Sequence, residues 1–146
     1  MDHSRTPLFT ALTRHAARRP IQFHIPGHKT GAGSDPEFRA FIGDNALSID
    51  LINIAPLDDL HQPTGVIEEA QKLAADAFGA DYTFFSVQGT SGAIMTMIMS
   101  VVGQNDKIIV PRNVHKSILS AIIFSGAKPV FVSPVRDGRL GIDHGI

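Results

Sequence analysis

The sequence contains no cysteine. Disulfides, iron–sulfur clusters and thiolate-bound zinc are therefore excluded. Charge is sparse: charged residues make up 18% of the chain and the formal net charge is −1. Beyond Arg18-Arg19 there is no run of basic residues, so nucleic acid finds no electrostatic foothold. Long hydrophobic runs are missing too. The longest, residues 93–102, is interrupted by Thr96 and Ser100 and reaches about half a membrane span. The first 19 residues are polar and basic and lack the apolar centre of a signal peptide. There is no internal repeat and no low-complexity segment. These absences predict a cytoplasmic protein without a membrane segment or a nucleic-acid partner.

What is present is the composition of a globular chain. Hydrophobic residues make up 43% of 146 positions. A single domain of that size buries roughly two-thirds of its unfolded surface. The chain opens with a helical pattern: Thr6 can cap it, Pro7 suits its first turn, and Leu8, Leu12 and Ala16 share one face before Arg18-Arg19 and Pro20. Residues 21–25 read as a short extended piece. His24-Ile25-Pro26-Gly27-His28-Lys29-Thr30-Gly31 reads as a loop because of its Pro-Gly pair. His24 and His28 have the spacing of a helical metal pair, but Pro26-Gly27 between them forbids that helix, so zinc is not expected. Residues 35–41 read as one helical segment. Residues 49–65 carry Pro56, Pro63 and Asp58-Asp59 among apolar residues without a steady period, and read as an ordered loop.

From Thr64 the pattern becomes regular. Val66, Ile67, Ala70, Leu73, Ala74, Ala77 and Phe78 form a helical stripe, with Thr64 as its cap and Gly79 as its stop. Residues 82–87 have the β-branched and aromatic composition of a buried strand. A helix over 91–102, a strand over 107–110, a helix over 114–125 and a strand over 128–132 follow. Strands alternating with helices at this spacing predict an α/β fold with a parallel sheet and right-handed crossovers.

The stretch that organises this pattern is residues 83–92. A strand that turns through Gln88-Gly89-Thr90-Ser91-Gly92 into a helix aims backbone N–H groups, hydroxyls and the positive end of the helix dipole at one spot, which suits a phosphate. A plainer alternative has Thr90 capping the helix and Gly89 supplying a turn. Ligands of open parallel sheets sit beyond the carboxyl ends of the strands, and the strand ending at Val110 delivers His115. If the two strands are neighbours, an imidazole and the phosphate cup share one rim.

His24-Ile-Pro-Gly-His-Lys29, Phe78-Gly-Ala-Asp81, Gly89-Thr-Ser91 and Asn113-Val-His-Lys-Ser117, in this order, resemble the Orn/Lys/Arg decarboxylase family from about Pro7 onward. The resemblance implies the N-terminal part of a fold-type I (aspartate aminotransferase-like) large domain that is dependent on pyridoxal phosphate. Residues 1–63 would supply a helix with active-site and dimer loops, and 64–146 the first part of the cofactor-binding α/β domain. The implied reaction removes the α-carboxylate of arginine, lysine or ornithine in a homodimer or larger homo-oligomer. The implied cofactor contacts are Gly89, Thr90, Ser91 and Gly92 on the phosphate and His115 stacked on the pyridine ring.

The departure from the family pattern concerns lysine. Decarboxylation needs a lysine that forms a Schiff base with the cofactor and an Asp paired with the pyridinium nitrogen. In the family both follow a longer stretch of chain. His115-Lys116-Ser117 echoes the family's Ser-x-His-Lys attachment site, but position 113 is Asn rather than Ser. Lys116 also sits one strand–helix unit after the phosphate loop, in the segment where the family has its stacking His. Lys29, Lys72, Lys107 and Lys128 fit no better. No catalytic residue is therefore assigned, and the chain is expected to be the truncated front piece of a decarboxylase, inactive alone. Two alternatives remain: another fold-type I lyase or aminotransferase, and a non-catalytic domain that pairs with a full-length subunit.

Overall fold

The computed structural model describes residues 1–146, which form two compact units, Met1–Phe85 and Ser86–Ile146. The first holds helices α1 (Pro7–Ala17), α2 (Pro36–Ile42), α3 (Asp44–Ser48) and α4 (Val66–Phe78), with a 3-10 turn at Ala55–Leu57. Helix α4 packs on α1 within this unit. Its buried apolar residues are Leu47, Leu57, Ile67 and Ala75. Pro7 and Pro36 each stand in the first turn of their helix, where a missing N–H costs nothing. The Asp35 side chain caps α2 by accepting from Glu37 and Phe38 N–H. Thr6 occupies the N-cap of α1 but makes no capping bond, and its hydroxyl instead meets that of Thr10 at 3.1 Å.

Helix α4 has the bounds that its apolar stripe predicts. Gly79 ends it in the left-handed region at φ 65°, and Ala80 N–H closes back onto the Ala75 carbonyl at 2.9 Å. Its start differs from expectation. Gly65, not Thr64, is the N-cap, and neither side chain caps the helix. The Asp58 carboxylate does so from a distance, accepting the N–H groups of Gly65, Ile67 and Glu68 at 2.9, 3.0 and 3.4 Å. A charged acceptor at the positive end of a helix is stronger than a hydroxyl, which is why it displaces Thr64.

The second unit holds α5 (Gly89–Val101), β1 (Lys107–Pro111), α6 (Lys116–Ser125) and β2 (Lys128–Val132). The two strands pair in parallel, with Lys107 opposite Lys128 and Pro111 opposite Val132. Arg112 N–H extends the ladder to the Val132 carbonyl at 2.9 Å. Helix α5 packs on α6, and Ile98, Val110, Ala121, Ile122 and Ala127 are buried. This is a mixed α/β arrangement with parallel strands, as the alternating pattern predicts.

The strand expected at 82–87 does not form. The segment is unpaired, and Tyr82 and Phe84 are 81% and 84% exposed. Apolar composition alone makes no strand: a ladder needs a partner, and the sheet contains only β1 and β2. Residues 21–25 likewise form no strand.

Candidate functional site

Helix α5 begins at Gly89, whose φ of 68° lies in the region that side chains avoid. The preceding Gln88 is the N-cap and its side chain makes no capping bond. Thr90 therefore does not cap the helix, contrary to the plainer reading: it sits inside the first turn. In a helix opened this way the N–H groups of Gly89, Thr90 and Ser91 have no intrahelical acceptor. The Thr90 and Ser91 side chains are exposed and take part in no hydrogen bond within the chain. No acidic residue stands in the first turn. A Cβ on Gly92 would lie 2.6 Å from the Gln88 Cβ, so only glycine lets residues 86–88 fold this closely over the turn.

This combination fits a dianionic phosphate. Three N–H groups and two hydroxyls lack partners, the dipole is favourable, and nothing negative opposes an anion. The structure thus brings Gly89, Thr90, Ser91 and Gly92 together as one turn.

His115 lies elsewhere in the same unit, as the N-cap of α6. Its Nδ1 accepts the Ser117 N–H at 3.2 Å and lies 2.8 Å from the Ser117 hydroxyl, and Ser117 is buried. Nδ1 is thus an acceptor, and the exposed imidazole is held in one orientation. No hydrogen bond joins His115 to the first turn of α5. The expectation that two neighbouring strands would deliver cup and imidazole to one rim therefore loses its first strand. Capping was not foreseen for His115, because histidine is not among the common N-cap residues.

Two cavities stand apart from these residues. One of about 410 Å³ opens where β1 and β2 end, lined by Arg112, Asn113, Ser133, Pro134, Arg136 and Asp143. There the Arg112 guanidinium lies 5.5 Å from the Phe131 ring centroid, and Arg136 binds Asp143 through two hydrogen bonds of 2.7 and 3.2 Å. A larger one of about 810 Å³ lies in the first unit, with His15, Gln22 and Arg39 in its lining. Neither includes Gly89–Gly92 or His115. A phosphate bound by a helix N-terminus needs no deep cavity, so the turn remains the better candidate.

The loop at 24–33 shows contacts that sequence reasoning missed. His28 Nε2 lies 3.1 Å from an Asp50 carboxylate oxygen, and Lys29 Nζ donates to the His24 carbonyl. The signal for the first pair is absent from local pattern, since 22 residues separate the partners.

Comparison with known proteins follows the same residues. A family model described as "Orn/Lys/Arg decarboxylase, major domain" matches residues 6–146. An arginine decarboxylase of Bacillus subtilis is 71% identical over 146 residues, covering 100% of this chain and 30% of the relative. The solved structure of lysine decarboxylase A from Pseudomonas aeruginosa superposes with a TM-score of 0.83 at 40% identity, over 94% of this chain and 20% of that one. The constitutive lysine decarboxylase of E. coli gives 0.85 at 30% identity, over 99% and 21%. The chain thus spans about a third or less of the length of each protein it matches.

Proposed function

The chain belongs to the Orn/Lys/Arg decarboxylase family, and from that premise we propose that it forms the phosphate-holding part of a fold-type I, pyridoxal-phosphate-dependent decarboxylase of a basic amino acid. The observation that carries this reading is the first turn of α5, with its unpartnered N–H groups and the free hydroxyls of Thr90 and Ser91.

When bound, pyridoxal phosphate supplies an electron-accepting ring that makes loss of an amino-acid carboxylate feasible. This chain's own residues bind and orient. Gly89, Thr90 and Ser91 N–H groups and the two hydroxyls hold the phosphate, and Gly92 keeps the turn closed. His115 offers a flat ring face, fixed by Ser117, for stacking on the pyridine. Lys116 follows as the first residue of α6 and carries no catalytic role in this reading. The products are carbon dioxide and a polyamine-type amine. The setting is a cytoplasmic homo-oligomer, and the 146-residue chain is inactive alone.

The test is a chimaera in which residues 1–146 replace the matching stretch of the B. subtilis relative. Carbon dioxide and amine formed from arginine, lysine or ornithine, dependent on added pyridoxal phosphate, support the reading. A chimaera that binds the cofactor but yields keto acids or aldol products belongs to another reaction class. One that binds no cofactor overturns the proposal.

A further inference from the structure

We propose that the cavity at the ends of β1 and β2 is a second anion site, in which the Arg112 guanidinium takes the carboxylate of a small organic acid. The site lies wholly in the second unit, and it goes beyond the functional reading above without resting on it. Its place is the first support. Ligands of parallel sheets sit beyond the carboxyl ends of the strands, and Arg112 and Ser133 are the residues that directly follow β1 and β2. With Asn113, Pro134, Arg136 and Asp143 they line about 410 Å³.

Arg112 is held at both ends. Its backbone N–H donates to the Val132 carbonyl at 2.9 Å, and its guanidinium lies over the Phe131 ring, 5.5 Å from the centroid. Stacking steadies the plane of a guanidinium while the N–H groups along its edge stay open to a ligand. Arg112 forms no ion pair and no side-chain hydrogen bond within the chain. The side chains of Asn113 and Ser133 make no hydrogen bond within the chain either. A carboxamide and a hydroxyl in the same wall as a free guanidinium add neutral donors for one anion.

Charge decides the sign of the ligand. The second unit carries six lysines and arginines against three aspartates and no glutamate. Asp106 and Asp137 serve backbone N–H groups, of Gly103 at 2.8 Å and of Arg139 and Leu140 at 2.8 and 2.6 Å. Asp143, the acid in the cavity wall, takes two hydrogen bonds from Arg136, which hold its carboxyl below the ordinary carboxylate range. That pair is neutral as a whole, so Arg112 leaves the cavity with one uncompensated positive charge. A single charge on a planar fork matches a monoanionic carboxylate better than a dianionic phosphate. The carboxylate that the proposed decarboxylation expels is a poor occupant. A guanidinium would stabilise it before the bond breaks and lose that contact as the charge departs. The site therefore suits a separate organic acid.

The probe is acetate, titrated into the isotope-labelled 146-residue chain and followed by amide NMR, or by calorimetry on the chimaera if the chain alone aggregates. Acetate should bind saturably and shift the amide signals of Arg112, Asn113 and Ser133. Arg112→Gln, which keeps the backbone N–H on Val132, should weaken binding about 10- to 100-fold, the loss of one charge-assisted contact. Unchanged affinity in that variant overturns the assignment. Arg139→Gln removes an equal charge outside the cavity and should leave acetate affinity unchanged. An equal loss there shows diffuse attraction to a basic unit and overturns the assignment too. The Thr90→Ala, Ser91→Ala double variant should bind acetate as the wild type does, whereas a loss confined to it puts the anion at α5 and not in the cavity. In that double variant inorganic phosphate should bind more weakly than acetate, and tighter binding overturns the choice of a carboxylate. In the chimaera, acetate that competes with arginine in the wild type but not in Arg112→Gln places the substrate's own carboxylate at the site and overturns the choice of a separate acid.

Discussion

Asp58 closes the start of α4 by accepting the backbone N–H of Ile67 at 3.0 Å from nine residues upstream. The same carboxylate takes the N–H groups of Asp59, Thr64, Gly65 and Glu68. It therefore ties the loop that precedes α4 to the helix itself.

Removing that carboxylate should loosen both. Asp58→Ala is expected to destabilise the unit by about 1–3 kcal/mol at neutral pH, the range for a lost cap and charge-assisted bonds. Burial alone would push the Asp58 carboxyl up, but the N–H groups of Thr64, Asp59, Gly65 and Ile67 outweigh it and hold the group far below the ordinary carboxylate range. A carboxyl lowered on folding contributes stability that is complete above its unfolded value and is lost as pH falls toward the folded one. The difference between wild type and Asp58→Ala should therefore be constant above about pH 5 and narrow progressively below about pH 4. Urea titrations across that range check it. A difference that grows on acidification contradicts the assignment.

Thr90 and Ser91 carry the cofactor prediction. In the chimaera, Thr90→Ala with Ser91→Ala should weaken pyridoxal phosphate binding, each lost bond to a charged group costing about 1.5–3 kcal/mol. Because neither hydroxyl has a partner within the chain, folding stability should hardly change. Equilibrium dialysis and thermal melts separate the two effects. Unchanged cofactor affinity in the double variant sinks the phosphate cup.

His115 has two separable duties. In the proposed function the ring face serves stacking; in the structure Nδ1 caps α6 through Ser117. His115→Phe should keep most cofactor affinity and lose about 1 kcal/mol of stability with the cap. His115→Asn, a good cap without a ring, should do the reverse. If Asn preserves cofactor affinity and Phe does not, His115 acts by hydrogen bonding and the stacking role fails.

The sequence announces what is local and hides what is not. Helix α4 and strand β2 have the expected bounds because an apolar stripe ending at Gly79 and a β-branched run after Gly126 are complete signals in themselves. Helix α6 begins two residues later than its pattern indicates, at Lys116, because His115 takes the cap. The turn that opens α5 is legible as residue types, yet Thr90 inside the helix rather than at its cap depends on Gly89 and its positive φ. Residues 82–87 look like a strand because composition reports what a segment could bury, not whether a partner strand lies beside it. Asp58 on Ile67 and His28 on Asp50 bridge 9 and 22 residues, and no periodicity reports such bonds.

The last prediction concerns lysine. Incubated with pyridoxal phosphate and reduced with borohydride, the 146-residue chain should show no stoichiometric labelling of any one lysine and no carbon dioxide release from basic amino acids. Each candidate fails on its surroundings. Lys29 is bound to the His24 carbonyl, and Lys72 pairs with Glu68 at 2.6 Å. Lys107 and Lys128 stand opposite each other as the first residues of parallel strands, hence at the amino edge of the sheet, whereas ligands of parallel sheets sit at the carboxyl edge. Lys116 is the one that tempts, exposed at the first position of α6 and next to His115. It is exposed rather than buried in an apolar pocket, the setting that activates a lysine for this chemistry. Peptide mapping by mass spectrometry after reduction decides the matter. Scattered substoichiometric modification agrees with a phosphate-holding segment that awaits its reactive lysine from elsewhere, whereas full labelling of Lys116 accompanied by decarboxylation makes this short chain a catalyst.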